Sequence, residues 1–183
     1  MAFTFTKTEI EGVVIVEPKV FGDERGYFME TYSEADFNEA GLDYKFVQDN
    51  QSSSRRGVLR GLHFQKEHPQ AKLVRVISGE VFDVAVDLRA ESPTFGKWVG
   101  VKLSAENKKQ LMIPRGFAHG FLVLSETAEF VYKCDEFYHP EDEGGVKWDS
   151  CGIEWPEVEG ELTLSEKDEK HPELKDLDFK FNI

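Results

Sequence analysis

A succession of short β-prone runs, each closed by turn-forming residues, constrains this chain more than any other feature. They fall at 13–17, 27–32, 44–48, 58–65, 73–77, 81–88, 98–103, 110–113, 120–124 and 129–134. Short strands at this spacing predict an all-β fold: an antiparallel sandwich or barrel with few helices. Ser78-Gly79-Glu80 reads as a tight turn, and Glu91-Ser92-Pro93-Thr94 breaks the next pair of runs. One helix is expected over Glu34–Ala40, opened by Ser33 as N-cap and stopped by Gly41. A second short helix is expected after Ser165 or Pro172. The N-terminal Phe3/Phe5 strand has no evident partner and is a candidate for pairing across a dimer.

No linker, repeat or low-complexity segment divides the 183 residues, so one domain over 1–183 is expected. Fifteen phenylalanines supply bulk for its core. Thirty-five acidic against 22 basic residues leave a net charge of −13, which disfavours nucleic acid or an anionic membrane as the main partner. The absence of a long apolar run or a leader pattern predicts a soluble, cytoplasmic chain. Cys134 and Cys151, in no metal-spaced pattern, read as reduced thiols.

Chemistry concentrates in Gly57-Val58-Leu59-Arg60-Gly61-Leu62-His63-Phe64-Gln65. Strict strand alternation puts Arg60 and His63 on opposite faces, but Gly61 permits a bulge that would turn both toward one cavity. They would then form an anion anchor beside a base. The plainer alternative is a solvated edge arginine and a hydrogen-bonded core histidine.

Pro114-Arg115-Gly116-Phe117-Ala118-His119 fits the P-x-G-x-x-H half of a cupin barrel signature. In the other half, metal-binding cupins carry H-x-H and then a glutamate; here those places hold His63-Phe64-Gln65 and Lys72. An amide is a poor ligand, and an ammonium repels a cation while favouring an anion or a developing oxyanion. A metal-free cupin, or jelly-roll, barrel is therefore expected.

Further segments extend the pattern nearly end to end: Phe21-Gly22-Asp23-Glu24-Arg25-Gly26-Tyr27-Phe28, Gln48-Asp49-Asn50, Lys72-Leu73-Val74-Arg75-Val76, Phe82 through Arg89, Ile113 through Phe121, and Leu164-Ser165-Glu166-Lys167-Asp168. Taken together, these resemble the dTDP-4-dehydrorhamnose 3,5-epimerase family. The resemblance implies a homodimeric, cofactor-free isomerase in dTDP-L-rhamnose biosynthesis. Its substrate would be the small molecule dTDP-4-dehydro-6-deoxy-D-glucose, inverted at C3 and C5. His63 would be the base, oriented by Asp168; Lys72 would stabilise the enolate oxygen, and Tyr132 would return the proton. Asp83 would tune Lys72 or Tyr132. Arg25, Arg60 and Lys167 would meet the diphosphate, with Glu30, Gln48, Asp49 and Asn50 completing the sugar and nucleotide contacts. His119 would bond the sugar, Tyr138 would stack on thymine, and Glu143 would line the nucleotide end. Ala71, Ser78 and the 148–152 turn depart from the usual pattern, but at no catalytic position.

Outside the resemblance, Tyr132 reads as a core aromatic and Asp168 as part of a solvated helix start. The alternatives of function are a single-position epimerase or ketoisomerase on a related 4-keto sugar nucleotide, and a cupin that binds a nucleotide sugar without turning it over.

Overall fold

Alternating apolar residues shape the short runs into two antiparallel sheets facing across one core. The computed structural model describes residues 2–183. In chain order the strands are β1 (Phe3–Lys7), β2 (Val14–Pro18), β3 (Phe21–Asp23), β4 (Gly26–Phe28), β5 (Gln48–Arg55), β6 (Leu59–Gln65), β7 (Lys72–Ser78), β8 (Glu80–Asp87), β9 (Trp98–Ser104), β10 (Gln110–Ile113), β11 (Phe117–Val123), β12 (Thr127–Cys134) and β13 (Glu143–Gly145). One sheet runs β1-β2-β10-β7-β12-β5, the other β13-β6-β11-β8-β9, and β3-β4 stands apart as a hairpin. From β5 to β8, and again from β10 to β13, consecutive strands lie in opposite sheets. This is the antiparallel jelly roll expected of the sequence, and each crossing brings side chains from both layers round a shared interior.

Val74, Val76 and Phe130 from the first sheet meet Val81, Ala85, Val99 and Phe121 from the second. Phe121 and Phe130 stack across the gap with ring centroids 4.1 Å apart. Strand β11 is buried along its whole length because the far face of its sheet is also covered, by Phe179, Phe181 and Trp155 of the C-terminal stretch. On the outside of the first sheet lies helix α1 (Glu34–Glu39), whose Phe37 packs edge-on against Phe3, Phe5 and Tyr32. Burying such a side chain contributes about 1.5–3 kcal/mol. Ser33 caps this helix, its Oγ accepting from Asp36 N at 3.4 Å. A second short helix, α2 (Glu166–Glu169), follows Ser165, and a 3-10 turn at Leu174–Asp176 follows Pro172. Among the described residues no helix is long and apolar enough to cross a membrane.

The Phe3/Phe5 strand finds one partner within its own chain, Phe3 opposite Pro18 through Lys7 opposite Val14, and its other edge ends the sheet. Two expectations need correction. The run at 27–32 shortens to β4, which pairs only with β3. The strand expected at 44–48 instead begins at Gln48 and runs through the polar sequence to Arg55. That stretch has no apolar alternation to announce a strand; it is held extended by pairing along all of β12. Ser78-Gly79-Glu80 is a corner that carries the chain from one sheet to the other.

Candidate active site

The bulge permitted by Gly61 forms and decides where two side chains point. His63 lies opposite His119 and Arg60 opposite Phe121, so Gly61 and Leu62 face Gly120 alone. Gly61 has φ +116°, and a Cβ there would sit 2.6 Å from both the Gly120 Cα and the His119 carbonyl oxygen. No residue with a side chain fits without displacing backbone. Arg60 and His63 consequently line one cavity of about 390 Å³.

Both sheets contribute to that cavity. Gln48, Asn50, Lys72 and Tyr132 come from the first sheet, His119 from the second, and Tyr138 and Glu143 from the segment after β12. Behind His63, Asp168 reaches in from α2, which packs on β6. Ser165 Oγ accepts from Asp168 N at 3.1 Å, and this helix start aims the carboxylate inward with 5% of its side chain exposed. Asp168 Oδ1 lies 2.6 Å from His63 Nε2, and Oδ2 accepts from Gly61 N at 3.2 Å. Burial by itself would raise the Asp168 pKa; the facing imidazoles of His171 and His63 and the bond from the Gly61 amide outweigh it and hold the group well below the usual carboxylate range. An ionised Asp168 accepts the Nε2 proton and leaves the Nδ1 lone pair to the cavity.

Lys72 presents part of its surface to the cavity but is enclosed by protein, and this burial lowers its pKa against the pull of Cys134, Asp83 and Glu143. Its Nζ lies 5.9 Å from the centre of the Tyr132 ring. Burial, and next the neighbouring Cys134, push the Tyr132 phenol up to about 12, with Asn50 and Arg60 opposing. The phenol is therefore a protonated donor at neutral pH.

Asp83 serves His119 more directly than either expected partner, with its Oδ1 2.7 Å from His119 Nε2. Burial raises the Asp83 pKa against the effect of His119 and Lys72. Burial also lowers the pKa of His119 despite its carboxylate, which favours the neutral ring. Gln65, at the former ligand position, is engaged by backbone: Nε2 donates to His68 and Phe137 carbonyls at 2.8 and 3.0 Å, and Oε1 accepts from His139 N at 2.7 Å. The amide ties two loops together.

At the rim Lys167 pairs with Glu143, whose carboxylate also accepts from Tyr138 Oη at 3.1 Å. Arg60 donates from Nε to Ser54 Oγ at 3.1 Å, and Gln48 Nε2 donates to Asn50 Oδ1 at 3.0 Å. Four expected binding residues do not line this cavity of their own chain: Lys167, which stays beside it through Glu143, and three that lie away from it. Arg25 is at the β3–β4 hairpin, bonded to Asp23; Glu30 is exposed. Asp49 pairs with Lys133 at 3.0 Å and lines a separate cleft with Arg75 and Thr31. Alternation along β5 explains Asp49: its neighbours Gln48 and Asn50 point the other way.

One residue escaped the sequence reading. His171 Nε2 lies 3.4 Å from Asp168 Oδ1, and its ring meets the His63 ring edge-on at 5.7 Å. The only sequence signal was its position three residues after Asp168, near enough for contact across a helical turn.

An imidazole held by a carboxylate, an ammonium and a protonated phenol round one cavity can remove a proton beside a carbonyl, hold the resulting oxyanion and return a proton. Comparison with known proteins points the same way. Residues 7–176 match the dTDP-4-dehydrorhamnose 3,5-epimerase family. Enzymes of that name are 58% identical over 177 residues in Methanothermobacter thermautotrophicus, covering 95% of this chain and 96% of that one, and 60% identical in Shigella flexneri, covering 94% and 97%. The dTDP-6-deoxy-D-glucose-3,5-epimerase of Legionella pneumophila, in complex with dTDP-4-keto-L-rhamnose, superposes with a TM-score of 0.93 at 50% identity, covering 96% of this chain and 95% of that one. A 3'-monoepimerase from Streptomyces bikiniensis in complex with dTDP-quinovose gives 0.87 at 37% identity, covering 93% and 87%.

Proposed function

The chain belongs to the dTDP-4-dehydrorhamnose 3,5-epimerase family, and we propose that it inverts C3 and C5 of dTDP-4-dehydro-6-deoxy-D-glucose to give dTDP-4-dehydro-L-rhamnose. The observation that carries this reading is the His63–Asp168 pair opening on the same cavity as Lys72 and Tyr132. The 4-keto group acidifies the protons on both flanking carbons. His63 Nδ1 takes one, the electron pair moves onto the keto oxygen, and Asp168 stabilises the positive charge that the ring acquires. Lys72 stabilises the enolate, a contribution of about 3–4 kcal/mol for a single oxyanion donor. Tyr132 then protonates the carbon from the opposite face, and the same cycle serves the second carbon.

Arg60 is the diphosphate anchor, with Lys167 beside it at the rim; Gln48, Asn50 and His119 contact the substrate, Tyr138 stacks on thymine, and Glu143 lines the nucleotide end. Stacking of a base on an aromatic ring contributes about 1–3 kcal/mol. Arg25, Glu30 and Asp49 act across a homodimer. The β3–β4 hairpin leaves Phe21, Tyr27 and Phe28 52%, 61% and 66% exposed, an apolar surface suited to a second copy. Sedimentation equilibrium is expected to return twice the chain mass of 20.9 kDa; a monomer would remove this part of the reading.

Incubation with the 4-keto sugar nucleotide in deuterated water tests the reaction. Proton NMR is expected to show deuterium entering at both C3 and C5. Exchange at one carbon alone would make the chain a single-position epimerase, and no exchange would make it a binding module.

A further inference from the structure

Two imidazole nitrogens and a carboxylate oxygen, from His63, Asp168 and His171, lie within 4.8 Å of one another. The function proposed above uses the first two and leaves His171 idle. Yet His171 is 9% exposed at its side chain, and its Nε2 is a buried polar atom without a hydrogen-bond partner, aimed at the Asp168 carboxylate. A buried nitrogen left unpaired costs about 1–3 kcal/mol, so its retention calls for a partner. Gly145 makes the room for it: a Cβ there would lie 2.3 Å from the His171 ring.

We propose that His63, Asp168 and His171 form an inhibitory site for a divalent cation of the zinc class. Two imidazoles and one carboxylate with an open fourth position are a donor set that Zn²⁺ and Co²⁺ favour over Mg²⁺ or Ca²⁺. Bonds of about 2.0–2.2 Å in a tetrahedral site put ligand atoms about 3.3–3.5 Å apart. His171 Nε2 and Asp168 Oδ1 already stand at 3.4 Å. His63 Nε2 and Asp168 Oδ1, at 2.6 Å, must open by roughly 0.8 Å, a small side-chain rotation, to reach that separation. The site lies behind the His63 ring, where the Asp168 and His171 side chains are only 5% and 9% exposed. Asp168 Oδ2 keeps its bond from the Gly61 amide, which orients the carboxylate.

Inhibition follows from the tautomer. With Asp168 accepting from Nε2–H, the lone pair of His63 is on Nδ1, facing substrate. Coordination at Nε2 needs the lone pair there, so the ring proton moves to Nδ1. No proton is gained or lost by the ring, but the atom that must accept the sugar proton is now occupied. The cation also takes the carboxylate charge that would have stabilised the protonated ring. The inhibitory consequence rests on His63 being the base; the binding site does not.

The test uses the full chain freed of metal with EDTA, then titrated with Co²⁺ and Zn²⁺. Co²⁺ is expected to develop the visible bands of a four-coordinate nitrogen–oxygen site at one equivalent. Saturating Zn²⁺ is expected to lower turnover at least tenfold, reversed by EDTA. His171→Ala, and His171→Gln should the smaller residue unfold the chain, are expected to lose the Co²⁺ bands and most of the Zn²⁺ inhibition, each measured against its own activity in EDTA. Variants that keep both responses would overturn the proposal, as would wild-type protein without Co²⁺ bands. Bands that depend on His171 with turnover unchanged by Zn²⁺ would overturn the inhibitory role. The base assignment fails on a separate result, a His63 variant that turns over normally in EDTA.

Discussion

His63→Gln is expected to lower kcat by about 10²–10⁴-fold, the usual contribution of a positioned general base. The substitution is chosen because the glutamine amide nitrogen reaches the place of His63 Nε2 and can still donate toward Asp168, which avoids leaving a buried carboxylate with one partner fewer. Deletion of the ring by alanine would open a void beside α2 and confuse lost chemistry with lost structure. Because one base serves both carbons, deuterium exchange at C3 and at C5 should fall together in this variant. Circular dichroism and thermal unfolding close to wild type would confirm that the jelly roll persists. Exchange surviving at either carbon at near wild-type rate would mean that a second group removes protons, and the assignment of His63 would be lost.

What made this site legible was local chemistry on strands whose apolar neighbours fix their register. Lys72 stands at the head of β7 with Leu73 and Val74 buried beside it, so its direction follows from the pleat. Arg60 and His63 needed one further element, the bulge, and Gly61 advertised it. Asp168 was different. It lies 105 residues from His63, and nothing in its charged surroundings distinguishes an inward carboxylate from a solvated one. Only the family resemblance selected it, and the Ser165 cap explains afterwards how a four-residue helix holds it inward. His171 lacked even that support, since its environment is created by Gly145 of a distant strand. Strand β5 was missed for a related reason: a polar edge strand takes its conformation from its neighbour's hydrogen bonds, which no periodicity of its own encodes. Arg25 and Glu30 show a further gap: both are exposed and away from the cavity of their own chain, and only the family resemblance selected them.

Tyr132→Phe should separate proton removal from inversion. The phenyl ring keeps the packing of the original, with Phe130 5.8 Å away centre to centre and Lys72 Nζ 5.9 Å from the ring centre, so the cavity wall is conserved. Only the hydroxyl goes. His63 still takes the proton and Lys72 still holds the enolate, but the opposite face has lost its donor; in deuterated water the base can return a deuteron only to the face it cleared. Recovered substrate is therefore expected to carry deuterium at C3 and C5 with its configuration unchanged, while inverted product forms about 10²–10⁴-fold more slowly. The pH profile should respond as well. With the phenol pushed up to about 12, loss of activity by Tyr132 ionisation belongs to strongly alkaline solution, and removing the hydroxyl deletes that limb without moving any acid limb. Product at the wild-type rate would show that another group, or water, protonates the far face. Loss of exchange together with loss of product would instead assign the hydroxyl to binding or to the removal step, and the division of labour between His63 and Tyr132 would have to be redrawn.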